Sequence, residues 1–163
     1  MMMSVVPELA QDFLDACKRK GILATTAESC TGGQIIALLT DIPGASKMVD
    51  CGFVTYSNDA KQTMLGVSPA TLDAHGAVSA QTAREMAEGA LANSKANIAL
   101  AVTGIAGPDG GTEEKPVGLV FFAVAVKGQP TRVEKREFED NGRDHIRNET
   151  VRTALVMGIS ALG

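Results

Sequence analysis

The stretch Thr25-Thr26-Ala27-Glu28-Ser29-Cys30-Thr31-Gly32-Gly33, TTAESCTGG, is where an apolar run gives way to a helical pattern. Ile22 to Ala27, leading into it, has the composition of a strand. Gln34 to Leu39, just beyond, has the length and apolar density of a helix. The stretch therefore predicts strand, tight turn, helix, with Ser29 at the bend. N–H groups at the start of a helix lack intrahelical acceptors, so an anion or a developing oxyanion is stabilised there. A hydroxyl at such a place also serves as a plain helix cap. Gly32 and Gly33 let a ligand approach the backbone closely, which a cap alone does not require. The stretch has no Gly-x-x-x-x-Gly-Lys-Ser/Thr pattern, which disfavours a triphosphate cradle.

Outward from this turn, the chain alternates helices with apolar strands. Pro7 to Lys20 carries Ala10, Phe13, Leu14 and Cys17 at helical spacing and closes on Lys18-Arg19-Lys20-Gly21. Met48 to Tyr56 alternates as a strand and stops at Ser57-Asn58-Asp59, where Asn58 or Asp59 is placed to cap a short helix through Lys61 to Leu65. A second short helix, Ala70 to Ala74, lies between Ser68-Pro69 and Gly76, and Ser79 opens a longer one with Ala83, Met86, Ala87, Ala90 and Leu91 on one face. Ile98 to Val102 is a continuous apolar run, as expected of a strand buried on both faces, and leads into the glycine-rich loop Thr103 to Gly111. Val117 to Val126 and the charged Thr131 to Phe138 form a hairpin across Lys127-Gly128-Gln129-Pro130, the second strand a blunted antiparallel edge. A last helix begins near Gly142, with Val151, Ala154, Leu155, Gly158 and Leu162 inward. This order implies an α/β fold, a mostly parallel sheet covered on both faces, with one antiparallel strand from the late hairpin.

Composition narrows the function classes. The 163 residues suffice for one domain, spanning 1–163, with a proper core. Net charge is −4, aromatic content is 4% and there is no Trp, so stacking platforms and a basic face for nucleic acid are both lacking. Three cysteines, Cys17, Cys30 and Cys51, form no C-x-x-C pair, and neither a disulfide framework nor a zinc site is indicated. The N-terminal MMMSVVPELAQ has no charged n-region or long apolar core, and no run reaches the length of a membrane span. A cytoplasmic protein with reduced thiols, no membrane and no metal is the expectation.

In open α/β sheets ligands gather beyond the carboxyl ends of strands. The turns at Ser29, at Tyr56 to Lys61 and at Thr103 to Gly111 all leave such ends, so they should line one crevice. Ser29 needs its proton removed before it can attack a carbonyl, and neither His75 nor His145 lies in a stretch aimed at it. Lys61 is the better base. A solvated lysine has a pKa of about 10.4, and bringing it to neutrality at physiological pH costs about 4 kcal/mol, which burial away from carboxylates supplies. Tyr56 is placed to hydrogen-bond both groups and carry the proton between them. Cys30 is a rival nucleophile or a small buried side chain.

The strings TTAESCTGG, GFVTYSNDAK, HGAVS, TGIAGPDGGTEEKPVG and GRDHIR occur in the order and spacing of the CinA C-terminal domain family, which the chain resembles over almost its whole length. More narrowly it is similar to the stand-alone members, the nicotinamide-nucleotide amidohydrolases. The resemblance implies a three-layer α/β/α fold with a mixed sheet, a homodimer or higher homo-oligomer, and deamidation of nicotinamide mononucleotide to nicotinic acid mononucleotide and ammonia without metal or cofactor. It puts the nucleophile on Ser29 and its partners on Tyr56 and Lys61. The phosphate of such a substrate calls for amides and a cation, which Thr31, Gly32, Gly33, the Thr103-Gly104 turn, and Arg143 or Arg147 can offer. Cys30 and Asn58 complete the expected substrate-lining set. The competing class is a non-catalytic nucleotide- or partner-binding module, since family members are also named for competence and DNA damage.

Overall fold

The computed structural model describes residues 5–163. The reading of the first residues as lacking a secretory leader falls partly on residues 1–4, outside the described ones. Helix α1, Val5–Lys20, turns the stripe Ala10, Phe13, Leu14 and Cys17 wholly inward, and its last turn carries Lys18, Arg19 and Lys20 against the carbonyl end of the helix. Strand β1, Ala24–Glu28, is buried at every position and is followed by α2, Gln34–Thr40. After a short 3-10 turn come β2, Val49–Val54, then α3, Asn58–Leu65, α4, Pro69–His75, and α5, Ala80–Ala92. Strands β3, Ile98–Gly104, β4, Leu119–Val126, and β5, Arg132–Glu137, precede the long α6, Arg143–Leu162.

The five strands lie in the order β2-β1-β3-β4-β5. β1 pairs parallel with β2 and β3; β4 is antiparallel to both β3 and β5. Four strands thus share one direction and β4 alone is reversed, so the antiparallel strand expected from the late hairpin is its first arm. The sheet edges are the two strands that alternate or carry charge, β2 and β5, while the near-continuous apolar runs occupy the middle.

The two faces of the sheet differ in side-chain size. Ile98, Leu100, Val102, Val120, Phe122 and Val124 point toward α1, α2 and α6 and make the larger core with Phe13, Leu14 and Leu155. On the opposite face the sheet offers Ala27, Ala99, Ala101, Ala123 and Ala125, against Ala83, Met86, Ala87 and Ala90 of α5. Alanine against alanine lets α5 lie close to the strands, and Leu65 at the end of α3 packs into the same cluster. Together these make the three layers.

Around the end of β2 the structure departs from the sequence expectation in two places. Ser57, not Asn58 or Asp59, caps α3, its hydroxyl accepting from the Ala60 N–H at 3.0 Å. Serine in the extended conformation before a helix puts its oxygen where the third amide can reach it, and the asparagine and aspartate are then the first helical residues. The second strand also ends at Val54, so Thr55 and Tyr56 belong to the turn.

Gly89 of α5 faces α3 so closely that a Cβ there would collide with the carbonyl group of Leu65. Gly89→Ala is expected to destabilise the protein by about 1–3 kcal/mol, lowering Tm by roughly 3–10 °C. A glycine free of such a contact would gain about 1 kcal/mol by the same change. A rise in Tm in a thermal melt would therefore show that α3 does not rest on this point.

Candidate active site

The carboxyl ends of β2, β1 and β3 lie side by side, and each is followed by one of the three expected turns. Ser29 continues β1 by one residue, its N–H donating to the Val102 carbonyl at 3.2 Å, while the Thr55 N–H donates to the Glu28 carbonyl at 2.8 Å. Capping by Ser57 sets α3 running back from the end of β2, and Lys61 lies one turn into it. From there the lysine reaches the neighbouring strand end: Nζ lies 2.9 Å from Ser29 Oγ, 2.8 Å from the Thr55 carbonyl oxygen and 3.4 Å from that of Tyr56.

Lys61 is only 1% exposed and Ser29 8%. Burial pulls the Lys61 pKa below its ordinary value, while the nearby Cys30 thiol acts weakly in the opposite sense. Among the described residues no carboxylate forms an ion pair with it. A neutral amine has two N–H groups and one lone pair. With the Thr55 and Tyr56 carbonyls accepting the N–H groups, the lone pair is left for the Ser29 hydroxyl, the arrangement a general base needs. Burial pushes the Cys30 thiol up to about 12, so it stays protonated at neutral pH and is a poor nucleophile.

These groups open on a cavity of about 280 Å³, lined by Ser29, Cys30, Tyr56, Asn58, Lys61, Thr103, Gly104 and Arg143 among the expected residues, with Ala77, Val78 and Ala106 in addition. A groove of about 300 Å³ between α1, α2 and α6, around Pro7, Leu38 and Val151, holds none of this chemistry. Thr31, Gly32, Gly33 and Arg147 do not line the cavity. Arg147 spends Nε on the Cys30 carbonyl and Nη2 on the Thr31 carbonyl, both at 3.1 Å, which makes it a clamp on the loop. Gly32 and Gly33, at φ of 58° and 102°, serve the turn itself. Thr103 lines the wall, but its hydroxyl donates to the Ala77 carbonyl at 2.8 Å and ties the loop before α5 to the end of β3.

Tyr56 differs most from expectation. The residue is 65% exposed, at the cavity mouth, and its hydroxyl accepts from Arg143 Nη2 at 3.4 Å. Only its backbone carbonyl faces Lys61, and direct contact between Lys61 and Ser29 leaves no gap for a phenol to bridge. Arg143 also donates from Nη1 to the Gly107 carbonyl at 2.7 Å, and so links two loops across the mouth.

Glu28 was not among the expected site residues. It is fully buried, and both its oxygens are used: Oε1 accepts from Thr31 Oγ1 at 2.6 Å and the Ile35 N–H at 2.9 Å, Oε2 from Thr26 Oγ1 at 3.1 Å and the Ile36 N–H at 2.9 Å. The first amides of α2 are thereby taken, so the expected anion site at that helix start is filled by the chain's own carboxylate. One signal for it was present: a lone acid inside an apolar, strand-like run must find donors if the run is buried.

A family model described as the CinA C-terminal domain matches residues 7–162. The chain is 47% identical over 152 residues to the nicotinamide-nucleotide amidohydrolase PncC of Escherichia coli, covering 93% of this chain and 92% of that one. It is also 47% identical over 150 residues to a protein of Caldanaerobacter subterraneus named for competence-damage induction; there it covers 92% of this chain but only 36% of the relative's length. Among solved structures, the competence/damage inducible protein CihA from Agrobacterium tumefaciens superposes with a TM-score of 0.93 at 53% identity, covering 96% of this chain and 94% of that chain.

The depressed Lys61 pKa has a measurable consequence for stability. Between that lowered value in the folded chain and 10.5 in the unfolded one, the unfolded state holds one more proton, so stability rises with pH across the window. Lys61→Met should flatten that slope, its advantage over the wild type being greatest at neutral pH and shrinking as pH rises. Thermal melts over this range check it, and an unchanged slope would mean that Lys61 titrates normally.

Proposed function

The chain belongs to the CinA C-terminal domain family, and from that premise we propose that it hydrolyses the carboxamide of nicotinamide mononucleotide, giving nicotinic acid mononucleotide and ammonia. The observation that carries this reading is the 2.9 Å contact between a buried amine, its pKa lowered by burial, and a serine hydroxyl at the floor of a cavity. Likeness to the Escherichia coli amidohydrolase over nearly the full length of both chains supports the choice of substrate.

In the proposed reaction Ser29 Oγ attacks the carboxamide carbon while its proton passes to Lys61 Nζ. The carbonyl oxygen becomes an oxyanion near the Cys30 N–H. Collapse breaks the C–N bond, and the proton held by Lys61 leaves with the nitrogen as ammonia. Water then attacks the acyl ester, again giving its proton to Lys61, which returns it to Ser29 as the acid departs. A cavity of about 280 Å³ stands at the small end of ligand sites, enough for the pyridine ring and its amide. The ribose phosphate would then lie at the mouth, where Arg143 has N–H groups beyond the two already engaged and Tyr56 presents its ring. In this reading Arg143 holds the anion, and Tyr56 stacks or steers and does not carry the proton. A homodimer or higher homo-oligomer in the cytoplasm, implied by the family likeness, forms part of the same proposal.

Ammonia release from nicotinamide mononucleotide tests the reading directly. Ser29→Ala and Lys61→Ala should each lower kcat by about 10³-fold or more, with Cys30→Ala close to wild type. Full activity in Ser29→Ala would refute the nucleophile, and tight binding of the nucleotide by the wild type without turnover would favour a binding module. Arg143→Ala should raise KM for the nucleotide by about 10–100-fold, the worth of a charge-assisted bond. The same change should alter KM for the uncharged-tail nucleoside much less, and equal losses on the two compounds would move the phosphate elsewhere.

A further inference from the structure

The turn after Ser29 is held from two sides by groups of opposite charge that do not pair with each other. Glu28 takes donors from it, the Thr31 hydroxyl and the Ile35 and Ile36 N–H groups; Arg147 of α6 takes acceptors, the Cys30 and Thr31 carbonyls. A trans peptide points its C=O and N–H in opposite directions. With the Cys30 carbonyl drawn to Arg147, the Thr31 N–H of the same peptide faces the other way. The Ser29 carbonyl is likewise engaged by the Gly32 N–H at 3.1 Å, which turns the Cys30 N–H away from that bond. Among the described residues neither N–H meets an acceptor on another residue.

We propose that Glu28 and Arg147 are positioning residues that lock the turn following Ser29, so that the N–H of Cys30, the residue of that turn that lines the cavity, is presented to the oxyanion. Arg147 acts on the loop and leaves the substrate's anion to other groups. The two side chains suit the task for different reasons. Glu28 offers only acceptors to four donors, and a glutamine of the same shape would set an N–H against one of them. Arg147 bridges two carbonyls through a rigid fork, which a lysine's single point of charge cannot reproduce.

This inference rests on the serine-nucleophile reading, so its test includes a probe that contains no nucleotide. A fluorophosphonate reacts with an activated serine: Ser29 Oγ bonds to phosphorus, fluoride leaves, and the hydroxyl proton passes to Lys61. The phosphoryl oxygen needs the same donors as an oxyanion. In Glu28→Gln and Arg147→Lys, labelling of the Ser29 peptide, followed by mass spectrometry, should slow about 100-fold. In the same variants kcat for nicotinamide mononucleotide should fall by a similar factor while KM stays within about threefold. Wild-type labelling rates in both variants, or a raised KM at unchanged kcat in Arg147→Lys, would overturn the proposal, as would a wild-type protein not labelled at Ser29. A wild type that is labelled yet releases no ammonia from the nucleotide sinks the amidase reading alone. Circular dichroism melts separate a loosened turn from an unfolded chain. Should Glu28→Gln not fold, the half-buried Arg147→Lys decides.

Discussion

A lysine amine removed from water and set against a serine hydroxyl is the interaction on which the remainder of this molecule depends. Burying an amine without a carboxylate partner costs free energy unless the group sheds its proton, so the surroundings must hold it in place by other means. They do so with two backbone carbonyls from the turn after β2, and with a helix whose start is fixed by Ser57. The parts that bring the amine to Ser29 come from two neighbouring parallel strands, β1 and β2, whose shared register sets the ends of both at the same height.

The packing of the far face of the sheet serves the same end. Alanines on both sides of the interface bring α5 close to the strands, and Gly89 lets α3 rest on α5 with nothing between. A helix that carries a buried amine gains from a rigid seat, because the amine's hydrogen bonds to the neighbouring strand end tolerate little displacement. The other face, with Phe13, Leu100, Phe122 and Leu155, supplies the bulk of the apolar burial and places α6 so that Arg143 and Arg147 reach the loops at the top of the sheet.

Much of the site was legible because strand ends are legible. Ser29, Lys61, Thr103 and Arg143 all follow breaks in apolar periodicity, and a mostly parallel sheet brings such breaks to one edge. What could not be read was the use of each side chain once there. Tyr56 and Lys61 stand in one motif, yet the tyrosine faces solvent and the lysine the interior, since a turn between them reverses the chain. Arg143 and Arg147 are one helical turn apart and look equivalent; one reaches the cavity mouth, the other two carbonyls behind it. Glu28 drew no reading because its partners, Ile35 and Ile36, lie beyond the bend.

The amino-acid sequence by itself determined the order and kind of the elements, the buried place of β3 and the edge place of β5, and the family to which the chain belongs, since these follow from periodicity, from turn residues and from strings of neighbours. Tertiary structure alone decided which polar groups meet. Hydrogen bonds depend on distances of a few tenths of an ångström between segments far apart in the chain, and the spacing of residues along a strand or helix carries no such information. Hence Ser29 and Lys61, 32 residues apart, could be named as partners from their types, while the direct contact between them, the bonds of Arg147 to two loop carbonyls and the acceptor work of Glu28 were set only when the sheet and its two helical layers closed.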